Sequence, residues 1–414
     1  MLAAVLMAGC AEKGRRNDLH PLTDNSFDEE CPQHIVITAD SVKPFETVEN
    51  ENCLHVELPQ EMTETCLDTV FSSYTFVPLE TKEECLIGQI TKIIKCPGCY
   101  CILDRDNANV FLFEEDGRFR CKLGNKGHAG NEHLDAWNIA YDSENRYVVM
   151  LDLTGRRLLS YDLEGKLQKV TPLYFLYTDM AYTSAGVLCL TGTSSNSFSD
   201  IVDLSQLVLA DRNQKPLRIG FPVSEERRHL FSWESVLQQF EDEVCFRDLV
   251  SDTIWTVSGV ELVPLLITSI NGRESFTQEE RASITDAVFK ERNAGIPYVI
   301  SCFLTRNYIV MSIAVHHLGG RVMTLLVDRS KGQCRIVGES VDRKRFGDFM
   351  SMNGLNGVYD DSTLIRVLNP GTILTDIRMD LPSVHTMTAE EKRLLMNVQL
   401  DDNPVLMLEH LVKF

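Results

Sequence analysis

Ile102–Phe119 reads ILDRDNANVFLFEEDGRF, and Met150–Leu167 reads MLDLTGRRLLSYDLEGKL. Laid on one another without a gap, the two stretches pair Leu103 with Leu151, Asp104 with Asp152, Val110 with Leu158, Phe113 with Tyr161, Gly117 with Gly165 and Phe119 with Leu167. The offset is constant at 48 residues (165 − 117). Each copy is an apolar strand, a polar turn, a second strand, a turn closed by Asp116-Gly117 or Glu164-Gly165, and a third strand. Glycine supplies the positive φ that tight hairpins demand. A repeat of this length made of consecutive hairpins is the pattern of a propeller blade.

Weaker copies follow: Met180 to Ile219 with a turn at Arg212-Asn213, Val244 to Leu266 with Asp252 and Gly259, Tyr298 to Val337 with Arg329 to Gly332, and Phe349 to Leu368 with Asp360-Asp361. With the first two they make six. Tyr74 to Leu79 is a candidate strand that completes the last blade, since closure removes the exposed edges that invite aggregation. A chain trimmed before Tyr74 is therefore expected to keep its ring. The predicted fold is all-β: a six-bladed β-propeller of four-stranded blades with a few short helical insertions. The same hairpins would also serve a β-sandwich pair or a β-helix. Helices are predicted at Trp233 to Phe240, after the capping box Thr277-Gln278-Glu279-Glu280, and after the capping box Thr388-Ala389-Glu390-Glu391.

Length does not count domains here, because propellers reach 414 residues as one closed unit. Hydrophobic residues at 44% suffice for a sizeable core. The net charge of −20 repels phosphate backbones and anionic lipid headgroups, so nucleic acid is set aside as a partner. The same field allows a cationic partner, though acidity for solubility is the simpler account. Thirteen cysteines make an odd total. Cys85, Cys121, Cys189, Cys245, Cys302 and Cys334 each stand singly in apolar or alternating runs, where cysteine acts as a small buried hydrophobe.

The opening MLAAVLMAGC is apolar from Leu2 to Ala8, places small Ala8 and Gly9 before Cys10, and turns polar at once with Glu12, Lys13, Arg15 and Arg16. This resembles a bacterial lipobox, in which Cys10 accepts the lipid and becomes the new N-terminus. No Lys or Arg precedes Cys10, as a basic n-region would require. Residues 11 to 33 lack any apolar period and read as a solvated tether. The expected division is a signal segment at 1–10, a tether and N-terminal extension at 11–55, and the propeller at 56–414. The membrane is then reached through an N-terminal lipid, and the expected address is the cell envelope, at the outer membrane.

Several separate stretches resemble the six-bladed β-propeller lipoprotein family common in Bacteroidetes. They are Val77-Pro78-Leu79-Glu80-Thr81 with Ile87-Gly88, the Phe113 to Gly117 hairpin, the loop Gly124-Asn125-Lys126-Gly127-His128-Ala129-Gly130-Asn131-Glu132, and Asp402-Asn403-Pro404-Val405-Leu406. The resemblance runs from about Val56 to the end. Members usually carry Gly-Pro and an aromatic after the loop glutamate, where this chain has Ala129-Gly130 and His133. The resemblance implies the fold and the envelope location, and supplies no activity.

The loop from Gly124 to His133 is the candidate ligand-binding loop, with Lys126, His128, Asn131, Glu132 and His133 as its candidate contacts. Loops on a rigid scaffold are where binding residues gather. Its glycines serve equally to let the chain cross between blades. His128, Glu132 and His133 are metal-ligand types, but the His-Glu-x-x-His spacing is missing, so no metal is expected. His316-His317 alternates along a strand, so its rings point to opposite faces. Cys96-Pro97-Gly98-Cys99 has redox spacing in β context, where Pro-Gly suits a type II turn; a small local disulfide is expected, with two free thiols as the alternative. Asp104-Arg105-Asp106-Asn107 lacks a calcium loop's further oxygens and glycine and reads as a hairpin turn. No nucleophile elbow, phosphate loop or zinc quartet is present, so no catalytic residue and no cofactor are assigned. The expected function is a ligand- or protein-binding or scaffolding module whose partner is a glycan, peptide or protein. The alternative is a carbohydrate-active hydrolase or lyase at the central channel; the fold supports both.

Overall fold

The computed structural model describes residues 42–58, 71–191, 205–222, 237–248, 251–269, 298–315, 321–337, 355–378 and 387–412, together with Asn196 and Val202. The chain opens with β1 (Lys43–Pro44), β2 (Glu46–Thr47), β3 (Leu54–Glu57) and β4 (Phe71–Pro78). Blade 1 is β5 (Lys92–Cys96), β6 (Cys99–Asp104), β7 (Asn109–Glu114) and β8 (Phe119–Lys122). Blade 2 is β9 (Asn138–Asp142), β10 (Tyr147–Asp152), β11 (Arg157–Tyr161) and β12 (Leu167–Pro172). Blade 3 holds β13 (Asp179–Thr183), β14 (Gly186–Leu190), β15 (Ser205–Ala210) and β16 (Pro216–Pro222). Blade 4 holds β17 (Leu237–Phe240), β18 (Glu243–Arg247), β19 (Thr253–Ser258) and β20 (Glu261–Ser269). Blade 5 is β21 (Tyr298–Leu304), β22 (Tyr308–Val315), β23 (Arg321–Asp328) and β24 (Cys334–Val337). Blade 6 begins with β25 (Leu355–Asp360) and β26 (Thr363–Leu368), passes through helices α1 (Pro370–Arg378) and α2 (Ala389–Met396), and continues with β27 (Val405–Leu411). Its fourth strand is β4, paired antiparallel to β27 with Val77 opposite Leu406.

The first strands of successive blades neighbour one another from β5 round to β25, and β25 meets β5 again, so they line the axis of a closed ring. The six-bladed propeller of four-stranded blades stands, and β4 is the closing strand expected at Tyr74 to Leu79. Each first strand runs from what we name the upper face to the lower face; the crossings between blades lie above and the tight turns between first and second strands lie below.

The 48-residue register is realised atom by atom. Gly117 has φ +87° and Gly165 φ +83°. The Gly117 N–H donates to the Glu114 carbonyl at 3.0 Å, and the Gly165 N–H to the equivalent Asp162 carbonyl at 3.1 Å. Asp104 and Asp152, both fully buried, hold equivalent turns: Asp104 accepts from Gly88 N and Asn107 Nδ2, Asp152 from Gly155 N and the Arg157 guanidinium. The Asp104–Asn107 stretch is the expected hairpin turn.

Apolar side chains alternate in direction along a strand, so a blade offers an apolar face to each neighbour. Six core clusters result, one at each blade interface. Leu103, Val110 and Leu112 of blade 1 meet Ile139, Met150 and Tyr161 of blade 2, while Val77, Leu406 and Ile365 of blade 6 meet Tyr100, Ile102 and Phe111 of blade 1. Every residue of β6 is buried, whereas four of six in β12, an outer strand, are exposed.

Four expectations change. The predicted helix at Trp233 to Phe240 is strand over Leu237–Phe240, because Leu237 enters the interface core and the segment pairs with β18. The extension expected over 11–55 joins the propeller from residue 42. There β1 adds parallel to β16, and β2 and β3 add parallel to β20. Phe45 packs against the core between blades 3 and 4, and Val56 and Leu58 enter the core between blades 4 and 5. Cys96 and Cys99 are free thiols directly opposite one another across the turn, whose Gly98 has φ +73° as a type II turn requires. Cys334 is exposed and Cys121 half-buried, while Cys85, Cys189, Cys245 and Cys302 are buried as expected. The capping box at Thr388 is formed, with the Thr388 hydroxyl accepting from Glu391 N and the Glu391 carboxylate from Thr388 N. Cys10, the Thr277 capping box and His316-His317 lie outside the described residues.

Candidate functional site

The Gly124 to His133 loop crosses the upper face from β8 to β9. Lys126 and His133 form an isolated parallel bridge, with Gly127 N donating to the His133 carbonyl and His133 N to the Asn125 carbonyl. At Gly127 a side chain would collide with the Glu132 carboxylate, and at Gly124, with φ +63°, it would collide with the Tyr161 hydroxyl. Arg157 clasps the loop from blade 2: its guanidinium donates to the Gly130 and Glu132 carbonyls and to the Asp152 carboxylate.

This clasp sorts the five candidate contacts. Lys126, His128 and Asn131 are exposed. Glu132 is half-buried and folds back onto its own loop, its Oε2 accepting from Ala129 N at 2.9 Å. His133 is buried with Nε2 paired to the Ala108 carbonyl at 2.8 Å, so it belongs to the interior rather than to a ligand surface. Burial holds its pKa below the ordinary histidine value, so at neutral pH the ring is uncharged. Burial also raises the Tyr161 hydroxyl, beside Gly124, to about 12.

A second group lies at the upper mouth of the channel, where the first residue of each of three neighbouring first strands is polar. Lys92 Nζ of β5 donates to Asn138 Oδ1 of β9 at 2.8 Å and to Asp179 Oδ1 of β13 at 3.0 Å. Asn138 Nδ2 in turn donates to Asp179 Oδ1 and to the Thr178 carbonyl, both at 2.9 Å. Beside them the Arg105 guanidinium lies over the Trp137 ring, 4.9 Å from its centroid, and donates to the Trp137 carbonyl. Burial pulls the Arg105 pKa down, and Asp179, Asp106 and Asp135 oppose that pull. Sequence reading passed over these residues. The signal was the strand-start position in successive blades, visible only once the first strands are known.

The lower end of the channel is spanned by Gln239 of β17, whose amide donates to the Tyr141 carbonyl of blade 2 and accepts from Tyr182 N of blade 3. An open groove of about 470 Å³ beside it is lined by Ser184, Phe240 to Glu243, Thr256 to Gly259 and Arg306. Two of its carboxylates are ion-paired, Glu241 with Arg306 at 2.8 Å and Glu243 with Arg329 at 2.7 Å, while Asp242 accepts from the Ser143 hydroxyl. At the β5–β6 turn of blade 1, also on the lower face, the Cys96 thiol hydrogen-bonds Cys99, which raises the pKa of Cys96 and lowers that of Cys99. Among the described residues no group of three or more His, Cys, Asp or Glu side chains could hold a metal ion. Nor is any described helix long and apolar enough to cross a membrane.

A closed ring of six four-stranded blades, with the first strand of each lining the axis, defines a β-propeller. The chain belongs to the family described as a domain of unknown function (DUF4934), whose profile matches residues 53–409. Its structure is similar to that of a Bacteroides fragilis protein thought to be exported, with TM-score 0.71 and 16% identity over 87% of this chain and 100% of that one. At that identity the likeness shows the fold alone. A member of the duf4221 family from Bacteroides vulgatus gives TM-score 0.46 and 11% identity over 83% of this chain and 97% of that one. No curated protein matches the chain.

Proposed function

We propose that this chain is an exported, lipid-anchored propeller of the cell envelope that binds a glycan, peptide or protein at its upper face. The observation that carries the reading is the state of the polar groups there. Lys92, Asn138 and Asp179 satisfy one another, and the loop backbone is held by Arg157 and Asp152, leaving Lys126, His128 and Asn131 exposed on a rigid support. Preorganised, exposed side chains on a fixed loop suit recognition. Export is supported by the description of the Bacteroides fragilis protein, and anchoring by Cys10 behind its apolar run.

The address is tested by detergent-phase partition of the full chain and its Cys10→Ala variant. The variant is expected to move to the soluble envelope fraction, and equal partition of the two removes the anchor from the reading. Recognition is tested on a glycan array and by thermal shift, comparing the natural chain with Asn131→Ala and Lys126→Ala. A ligand bound equally by all three does not use this loop.

The competing reading, a hydrolase or lyase acting on carbohydrate, is favoured by the convergence of Lys92, Asn138 and Asp179 from three blades on one channel mouth. Polysaccharide turnover abolished by Lys92→Met, with binding retained, would select it over the first.

A further inference from the structure

Arg105 holds a cation at the upper mouth of the channel that no protein acid neutralises by contact. It lies in the turn between β6 and β7, and its backbone N–H donates to the Thr91 hydroxyl at 3.3 Å, one residue before β5 begins. Of the five guanidinium N–H groups one is used: Nε donates to the Trp137 carbonyl at 2.8 Å, while the guanidinium carbon stands 4.9 Å from the Trp137 ring centroid. Trp137 is fixed in turn, because its Nε1–H donates to the Thr178 carbonyl in the crossing to blade 3 at 3.1 Å. The cation therefore rests on a ring and a carbonyl that two blades hold still.

The two terminal nitrogens of Arg105 are left over. Among the described residues nothing accepts a hydrogen bond from either, and both reach solvent. Asp179, Asp106 and Asp135 are near enough to favour the charge, yet none is bonded to it. Asp179 is engaged by Lys92 Nζ, Asn138 Nδ2 and Met180 N, and Asp135 by Leu153 N and Thr154. Asp106 is exposed, where water and salt screen it. A half-buried guanidinium with four N–H groups to spare is arranged to take a planar oxyanion through two parallel hydrogen bonds.

The surroundings choose that oxyanion. Three nearby carboxylates, in a chain of net charge −20, oppose a phosphate dianion more than a monoanion, which favours a carboxylate. The polar setting chooses what carries it. A peptide is gripped by apolar sockets, but the ring of Trp137 is covered by Arg105, and Ile87 and Ile90, just before Thr91, pack into the core between blades 6 and 1. Around Arg105 stand Thr91, Lys92, Asn138 and Asp179, side chains that suit a hydroxylated ring.

We propose that Arg105 is the carboxylate-binding residue of the upper face and that its ligand is a glycan carrying an acidic sugar. This rests on the upper-face reading given above and names its ligand class.

The test is titration calorimetry of the full chain with hexuronic-acid oligosaccharides of several linkages, beside the same oligosaccharides with their carboxylates reduced to alcohols. The acidic forms are expected to bind and the reduced forms to lose that binding. Arg105→Gln should weaken the acidic forms about tenfold to a hundredfold, the scale of one charge-assisted pair, and raised salt should weaken them too. Arg118→Gln, on the lower face and paired only to Asp116, should leave the affinity unchanged. Should Arg105→Gln lower the melting temperature, Arg105→Lys takes its place; it keeps the stem and the charge, and it is expected to lose affinity because an ammonium cannot form the fork. Equal binding of acidic and reduced forms, or full affinity in both Arg105 variants, overturns the carboxylate site while a glycan at the upper face still stands. Binding of none of the hexuronates, or tighter binding of a sulfated sugar or an acidic peptide, overturns it as well. A ligand bound equally by Arg105→Gln, Lys126→Ala and Asn131→Ala removes the upper-face reading along with it.

Discussion

At the scale of single residues, Gly117 and Gly165 share a turn and a positive φ but not a neighbourhood. A side chain at Gly117 would collide with the Pro78 carbonyl of the closing strand, whereas one at Gly165 would meet the Cys121 thiol, a side chain with room to yield. Left-handed backbone costs an L-residue about 1–2 kcal/mol at either position. Gly165→Val is therefore expected to lose about that much in denaturant unfolding, and Gly117→Val about 3 kcal/mol or more once the fixed carbonyl must shift. Equal losses would mean that β4 yields freely at Pro78. His133 gives a pH prediction. Its folded pKa lies below the unfolded value of about 6.5, so its contribution is complete above about pH 6.5 and is lost as pH falls through the folded value. His133→Gln should lose this limb of the stability–pH curve, and an unchanged curve would show that the ring does not titrate on unfolding. The pairing of Gly117 with Gly165 was legible from the 48-residue offset. The burial of His133 was not, because it depends on Ala108, on a turn whose distance from the loop only folding sets.

At the scale of elements, the N-terminal strands do two different jobs. β4 closes blade 6, and β1 to β3 cover the outer edges of blades 3 and 4, with Phe45, Val56 and Leu58 seated in the cores beneath. A chain beginning at Asp68 keeps β4 and loses the strap. It is expected to stay closed but to melt lower than one beginning at Asp40, and to self-associate through the bared edges of β16 and β20. A chain beginning at Thr81 loses β4 as well and should aggregate more. Identical melting of the first two would show that the strap adds nothing. The closing strand was readable at Tyr74 to Leu79 from its apolar run. The strap was not: β1 and β2 are two residues each, too short for a period, and Pro44 argues against strand. The helix expected at Trp233 to Phe240 fails for a related reason, since the four residues that become strand, Leu237–Phe240, cannot separate a period of 2 from one of 3.6.

At the scale of the whole molecule, no blade owns a core, since each of the six apolar clusters lies between two blades or joins their neighbouring edges. Opening one blade exposes two interfaces, so calorimetry is expected to show one cooperative transition, and separate peaks would show blades unfolding as independent units. The sequence by itself determined the blade, its hairpins, its glycine turns and their approximate number, because period-2 alternation and turn chemistry are local properties that each repeat restates. Tertiary structure decided what the sequence left open. It withdrew His133 and tied Glu132 to the backbone of its own loop, while Lys126, His128 and Asn131 stayed exposed. It brought Lys92, Asn138 and Asp179 to one mouth and joined Asn403 to Glu80 and Cys85. These residues lie far apart along the chain, and only ring closure and the packing of blade on blade fix their distances.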